Sequence, residues 1–544
     1  MTWPLLGLST NLDARASPNP YRLFDRWKRL FDYVEYSAPV DVEEARRDAS
    51  LFDEMFARRA ELPALFHPVH LNLYGPTLES REALRKLDEH ARAVGSPWVG
   101  NDVAWWHEGG NALPGYLYIS PPLDSKGLDD CVRHAEHVQS HLSMPLLLEN
   151  PAIVARRGEL HVLDFMAELH QRTGLGLILD LGHLLSHQLA YGLPLTTGLD
   201  GFPFEAVTEL HLAGGVVSKR GDRRFYFDDH TQPLREEVFE LLKLVLPRSA
   251  NLRAVTFEGD GLPDENAESV LNRIRLAIAE RDGLDQAEKK LDAPPRKAIA
   301  ARDESFTAAS NPWRLFDESH GRAVGADSEG DAADLEMRLA VLAEKLDAAF
   351  PLSRPLLGPE ALKRFISSDH FRDTFQPEGK SLLLAYAAWA RQEVRAFVEK
   401  GDDALASALS FEIWAHRSAH THPRAAPAKG EMVMAAGWAV AAFPMDFSEA
   451  LFAARALKRH SLARAWASGE LPSEATEGIA HALRRKSLSK TGWNLALRFT
   501  GDALSVIPLS QPEATILSAA QRPTPLTDAP EVRSLVARGL LRIG

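Results

Sequence analysis

The chain of 544 residues has a single cysteine, Cys131, so no internal disulfide can form and a reducing compartment is expected. Nor is there a surplus of basic residues: 62 Lys and Arg stand against 75 Asp and Glu, a net charge of −13. That balance argues against a general nucleic-acid or membrane-surface binder, since both rely on Lys and Arg. No run reaches the ~20 apolar residues that span a bilayer. The opening "MTWPLLGLSTNLDAR" lacks a charged segment followed by an apolar one, so no signal peptide is read and a cytoplasmic location is expected. Also missing is the glycine-rich phosphate loop of an open doubly wound sheet. What is present is 45% hydrophobic and 25% charged residues, the composition of a soluble globular protein, over a length suited to two or three domains.

Residues 1–283 alternate short apolar runs with amphipathic helical patterns. The runs are "LLGLS" (5–9), "YVEYS" (33–37), "LFHPVHLNL" (65–73), "PWVGNDV" (97–103), "PLLLEN" (145–150), "LGLILD" (175–180), "ELHLAG" (209–214) and "AVTFEG" (254–259). Eight such units predict an α/β fold, a (β/α)8 TIM barrel, whose usual length is ~250 residues. Residues 284–335, rich in charge, Pro, Ala and Gly, read as a linker. Residues 336–544 read as a mostly α-helical domain, and the last 35 residues as helix, loop, helix and a short strand, compatible with a winged-helix-like end. The apolar stretch starting "MVMAAGWAVAAFPMDF" reads as a buried core helix. "AHRSAHTHP" places His416 and His420 one helical turn apart with His422 nearby, read as a solvated helix end.

The barrel's strands end in polar residues: Glu35, His67 with His70, Asp102, Glu149, Asp180, His211 and Glu258, with His183 just beyond the sixth. Active sites of such barrels lie at the carboxyl ends of the strands. Asp228 and His230 follow the seventh strand, two residues apart, and in an extended segment would face one side. Buried carboxylates and imidazoles gathered at one rim need cations, and metal ions supply them most simply. A donor set of oxygen and nitrogen without thiolate favours Fe, Mn or Zn, and so many donors point to at least two ions.

"LLLEN", "GLILDLGH", "ELHLAGG", "FDDHTQP" and "TFEGD", in this order and spacing, resemble the multinuclear non-heme iron-dependent oxidative enzymes, the methanobactin-oxidase-like family. The resemblance implies a xylose-isomerase-like TIM barrel holding two or three irons (Fe2+/Fe3+). It also implies O2 as co-substrate, acting on a residue, often cysteine, of a ribosomally made precursor peptide. By position it implies His67, Glu149, Asp180, His211, Asp228, His230 and Glu258 as metal ligands. Two places depart from the family pattern: Asp102 stands where a His is usual, and His183 where an Asn is usual. Both can still bind metal and complete a set of nine. Gly215 stands where many members have a second His. Asp102, His183 and His70 are the candidate catalytic residues; Asn72, Asn101, His107 and Asn150 are candidates for substrate or supporting contacts. The carboxy-terminal region would then serve as a fused leader-recognition, partner-like module. A precursor peptide is the expected partner, a homodimer is compatible with the sequence, and neither nucleic acid nor a membrane is expected. Two alternatives stand beside this reading. One is a Mn- or Zn-dependent sugar isomerase, epimerase or endonuclease IV-like hydrolase on the same barrel, which "DLGH" favours. The other is a non-catalytic scaffold.

Overall fold

The eight apolar runs become eight strands of one closed parallel barrel. They are β1 (Leu5–Thr10), β2 (Tyr33–Ala38), β3 (Ala64–Pro68), β4 (Val99–Asp102), β5 (Leu146–Glu149), β6 (Gly176–Asp180), β7 (Val207–Ala213) and β8 (Ala254–Glu258). β1 pairs with both β2 and β8, which closes the ring. Most strand residues are buried, as expected of a parallel sheet wrapped by helices. The computed structural model describes residues 4–14, 17–109, 111–114, 118–282, 291–299, 327–357, 359–376, 379–398, 403–419, 427–435, 438–443, 447–457, 477–479, 481–483, 493–500 and 503–544. Two compact units divide them. One comprises residues 1–339 with 375–379, and the other is built from the remaining described residues after 339.

The helices around the barrel start and stop where local chemistry dictates. In Arg81–Val94, the Ser80 side chain accepts from the Ala83 amide and Gly95 ends the helix in a left-handed conformation. Its Leu84, Leu87, Ala91 and Val94 form the buried face. Within the barrel, Leu5, Tyr33, Leu65, Trp98, Leu147, Ile178 and Ala254 pack into a floor. Side chains two apart on a strand share a face. So Leu65, Leu147 and Ile178 lie on the same strand faces as His67, Glu149 and Asp180, and the floor supports the polar rim. Gly7 is required here, because a Cβ would collide with the Tyr33 ring.

Two histidines of the barrel wall are structural. His90 Nε2 lies 2.9 Å from Tyr36 Oη, and His134 Nε2 lies 3.0 Å from the Gly75 carbonyl. Burial lowers each imidazole's pKa to about 4. In the unfolded chain the same rings take up protons near 6.5. The folded pKa is depressed, so this contribution to stability is fully present above about 6.5 and is lost as pH falls toward 4. Each ring is expected to cost about 2 kcal/mol by pH 5. Urea midpoints of the wild type and His90→Gln at pH 7.5 and 5 check this, the variant showing the smaller acid loss.

In the second unit the helices Leu382–Val398 and Asp403–Ala419 pack together. Beside helices it contains two three-stranded sheets. One is Trp438–Phe443, Trp493–Thr500 and Ala503–Pro508; the other is Thr524–Pro525, Glu431–Met434 and Leu541–Ile543. The stretch expected to be a core helix is therefore two strands, Glu431–Met434 and Trp438–Phe443, followed by the helix Ser448–Leu457. Short apolar runs between Gly437 and Pro444 do not distinguish a buried strand from a buried helix, and cross-strand pairing decides. The carboxy-terminal end is helix Gln511–Ala519, helix Pro530–Ala537 and strand Leu541–Ile543. The stretch read as a linker lies largely outside the described residues. Within it Leu291 packs on the barrel floor and the helix Ser328–Ala349 begins. The side chain of His416 and the whole of His420 and His422 also lie outside the described residues. Among the described residues no helix is long and apolar enough to cross a membrane.

Candidate metal centre

The rim residues converge because strand ends and the turns after them aim inward. Asp180 is both the last residue of β6 and the cap of helix Leu181–Tyr191; its Oδ1 accepts from the His183 amide at 2.6 Å. That cap holds His183 in the first helical turn. Asn150 fixes the pair further. It donates from Nδ2 to the Asp180 carbonyl at 3.0 Å and accepts from the Asp180 amide at 2.8 Å. Its own carbonyl lies 2.8 Å from His183 Nδ1. With Nδ1 so engaged, Nε2 faces Asp228 Oδ2 at 3.3 Å.

Asp228 and His230 arrive on an antiparallel hairpin, Val216–Arg220 against Arg223–Phe227. They do not converge as alternate residues of an extended segment. His230 has φ 59°, left-handed, and its amide donates to the Gly214 carbonyl at 3.0 Å. This turn folds His230 Nε2 back to 3.2 Å from Asp228 Oδ2 and 3.8 Å from Glu258 Oε2. A left-handed non-glycine residue carries strain that local hydrogen bonding has to hold.

His211, fully buried, is the hub. Its Nδ1 lies 3.1 Å from Glu149 Oε1 and 3.8 Å from Glu258 Oε1, and its Nε2 lies 3.3 Å from Glu35 Oε2. His67 spans Glu35 and Glu149, with Nδ1 at 3.5 Å from Glu35 Oε1 and Nε2 at 3.9 Å from Glu149 Oε2. His183 Nδ1 is 3.4 Å from Asp102 Oδ1. Four triads have ligand atoms within 4.8 Å of one another: Glu35–His67–His211, His67–Asp102–Glu149, Glu149–Asp180–His183 and Asp180–His211–Glu258.

The electrostatics are those of charges crowded out of water. Burial, then the neighbouring Glu149, pushes the Asp102 carboxyl up to about 7. Burial also raises Asp180 well above the ordinary carboxylate range, with Asp228 beside it adding to the effect. Burial opposes a charged His67, yet Glu35 and Glu149 outweigh it and raise the imidazole to about 9. His211, His183 and His230 are raised in the same way by the carboxylates around them.

The donor set fits metal ions. Glu149 Oε2, Asp102 Oδ1, Asp180 Oδ2, Asp228 Oδ1 and both ring nitrogens of His211 are buried without a hydrogen-bond partner. Orphaned polar atoms are costly, and a shared divalent cation satisfies several at once. Oxygen and imidazole donors suit Fe, Mn or Zn. Gly182 is a second place where a glycine is required. A Cβ there would sit 2.7 Å from Asp228 Oδ1 and 3.2 Å from Asp180 Oδ1. Gly182→Ala is expected to displace Asp228 and weaken metal uptake about tenfold or more, with the metal-free chain's thermal midpoint near that of the metal-free wild type, as read by metal titration and calorimetry.

All nine sequence-predicted ligands, His67, Asp102, Glu149, Asp180, His183, His211, Asp228, His230 and Glu258, lie in this one cluster of contacts. Of the candidates for supporting contacts, Asn150 touches the cluster directly, through His183 and Asp180. Asn101 donates from Nδ2 to the Pro68 carbonyl, just past His67. Asn72 Oδ1 accepts from the Trp106 amide at 2.7 Å and His107 Nε2 lies 2.8 Å from Glu79 Oε1, so both hold the loop after β4. His70, with φ 61°, has its ring 6.2 Å from that of Trp106 and joins none of the four triads.

Residues 23–272 match the model of the family described as RiPP precursor modification enzyme MbnB/TglH/ChrH. Over these residues, just under half of the chain, the barrel is similar to that family. Among the chain's relatives, a UPF0276 protein of Vibrio parahaemolyticus is 27% identical over 177 residues, 32% of the chain and 61% of that protein. The match thus spans less than two thirds of the Vibrio relative's length. A UPF0276 protein of Caulobacter vibrioides is 26% identical over 273 residues, 49% of the chain and 94% of that protein. Among solved structures, D-allulose 3-epimerase from Methylomonas sp. aligns at 11% identity and TM-score 0.35, over 52% of the chain and 98% of that protein. Endonuclease IV from Thermus thermophilus aligns at 21% identity and TM-score 0.32, over 51% and 100%.

Two residues of the cluster have no role in the sequence-derived ligand set: Glu35 and Glu209. Glu35 was visible as a strand end, but a single Glu in "YVEYS" also fits an outward-facing position. Only closure of the barrel, which brings its carboxylate to 3.5 Å from His67 Nδ1 and 3.3 Å from His211 Nε2, reveals that it faces inward. Glu209 is hidden in an apolar run, two residues before His211 and therefore on the same face.

Proposed function

We propose that the barrel is a multinuclear non-heme iron oxidoreductase that uses O2 to oxidise a residue, foremost a cysteine, of a ribosomally made precursor peptide. The observation that carries this reading is the convergence of His67, His183, His211 and His230 with six carboxylates, four of which (Asp102, Glu149, Asp180 and Asp228) keep an orphaned oxygen, in a barrel that matches the MbnB/TglH/ChrH family model. Iron, when bound, supplies activation of O2 and an open position for a substrate thiolate. The nine residues named as ligands, together with Glu35, would hold two or three ions.

The chain's own residues do the positioning. Glu149 lies between His67, His183 and His211 and ties the triads together. Asn150 sets the orientation of His183 and Asp180, which keeps Asp228 opposite an imidazole. Trp106, buried, and Tyr118, half-buried, stand with ring centroids 4.7 Å apart and form an apolar wall beside the rim that limits water. Residues 1–283 are proposed as the catalytic domain, 284–335 as a linker and 336–544 as a module that recognises the leader of the peptide, all in the cytoplasm.

The test is O2 uptake by anaerobically purified, iron-loaded chain on addition of a cysteine-bearing precursor peptide encoded beside its gene, with the peptide's mass followed. A mass change that needs O2 and is lost in a Cys→Ser peptide is the expected result. Turnover of a sugar with Mn or Zn and no O2 uptake would overturn it in favour of an isomerase.

A further inference from the structure

The interior of β7 and β8 departs from the rest of the barrel. Two residues before their ligands, β3, β5 and β6 place Leu65, Leu147 and Ile178, whereas β7 places Glu209 before His211 and β8 places Thr256 before Glu258. Both are fully buried. A carboxylate in a barrel interior is expensive to desolvate and calls for an explanation.

Three donors converge on it. Trp98 Nε1 donates to Glu209 Oε2 at 2.8 Å, Tyr33 Oη donates to Glu209 Oε1 at 3.3 Å, and Thr256 Oγ1 donates to Glu209 Oε1 at 2.7 Å. Tyr33 Oη and Thr256 Oγ1 are themselves 2.6 Å apart. Thr256 Oγ1 also lies 3.1 Å from Glu35 Oε2, so its single proton is shared between the floor carboxylate and a rim carboxylate. Glu35 Oε2 and Glu209 Oε1 then face the same atom, His211 Nε2, at 3.3 and 3.6 Å. The other ring nitrogen, Nδ1, faces Glu149 and Glu258.

An imidazole that binds a metal through one nitrogen generally gives the N–H of the other to a carboxylate, which fixes its tautomer and ring orientation. We infer that Glu209 is a positioning residue of the metal centre: with Glu35, to which Thr256 ties it, it lies on the Nε2 side of His211, where it would take the Nε2–H once Nδ1, which faces Glu149 and Glu258, binds an ion. This rests on reading the cluster as a metal centre. Trp98 and Tyr33 hold Glu209 from below, which explains why an aromatic floor carries two polar tips directed at one carboxylate. Glu209 does not touch substrate or the reacting atoms in this account; it acts through His211.

The test uses Co2+ as an optical probe on the full metal-free chain without oxygen, in the wild type, Glu209→Gln and Thr256→Val. Visible bands report ligand geometry and the titration reports affinity. Glu209→Gln is expected to weaken Co2+ binding by about 10–100-fold and to shift the bands. Thr256→Val, nearly isosteric, is expected to shift the same bands with a smaller affinity loss and an unchanged fold by circular dichroism. Thr256→Val also carries the test if Glu209→Gln does not fold. Wild-type affinity and bands in both variants, or a thermal midpoint lowered with no spectral change, would overturn the role of Glu209. A wild-type chain that takes up no Co2+ would instead overturn the metal reading on which the inference stands.

Discussion

Replacing Glu149 with alanine is expected to remove more metal and more activity than any other single change in the barrel. Glu149 belongs to two of the four triads and lies within 3.9 Å of His67, His183 and His211. Burial works against its charge, yet the facing histidines, His211 first, hold its carboxyl below the usual range. No neighbour can substitute for it, because Asp102 and Asp180 already face other partners. Changes one layer out from a metal typically cost 10–100-fold, so loss of a shared ligand is expected to exceed about 100-fold in kcat/KM. Glu149→Gln keeps the shape and removes the charge, and is expected to behave like the alanine variant. Iron content by mass spectrometry and turnover of the precursor peptide check this together. Near-wild-type values for both would exclude Glu149 as a ligand.

Chelation is expected to lower the thermal midpoint of the barrel by about 10 °C. Among the described residues no Lys or Arg pairs with Glu35, Asp102, Glu149, Asp180, Asp228 or Glu258, so their charge is balanced only by the four histidines. A ligand present at ~1,000 times its Kd stabilises the folded state by about 4 kcal/mol. A domain of this size shifts by about 2–4 °C per kcal/mol, which gives the expected change. Calorimetry with and without chelator, followed by restoration with Fe2+, measures it. The midpoint of the second unit should not move. An unchanged barrel midpoint would mean that the cluster is stable through its own hydrogen bonds.

The barrel was legible because buried parallel strands are written as nearly continuous apolar runs closed by a polar residue. "LGLILD" ends at Asp180, which is where β6 ends, and "PLLLEN" contains β5 and its Glu149. The rim could be read because every inward-facing strand end leads to the same face. What the sequence hides is register. Glu209 is an ordinary residue of an apolar run, and Glu35 a strand end of undecided facing, until barrel closure brings both within 3.6 Å of His211 Nε2. His230 reaches Asp228 through a left-handed turn, which an Asp-x-His spacing does not encode. Asn72 and His107 have the chemistry of a site but are engaged by Trp106 and Glu79, partners distant in sequence. The strands Glu431–Met434 and Trp438–Phe443 look like helix because Ala and Met suit either state, and only their partners Leu541–Ile543 and Trp493–Thr500 settle the matter.

The most direct test is the metal content and optical spectrum of the full chain purified without oxygen, alongside His211→Ala and Asp228→Ala. The account predicts two or three irons per wild-type chain and a clear loss in both variants, since His211 and Asp228 belong to different parts of one cluster. A wild-type chain without bound metal, or one whose metal survives both substitutions, would contradict it.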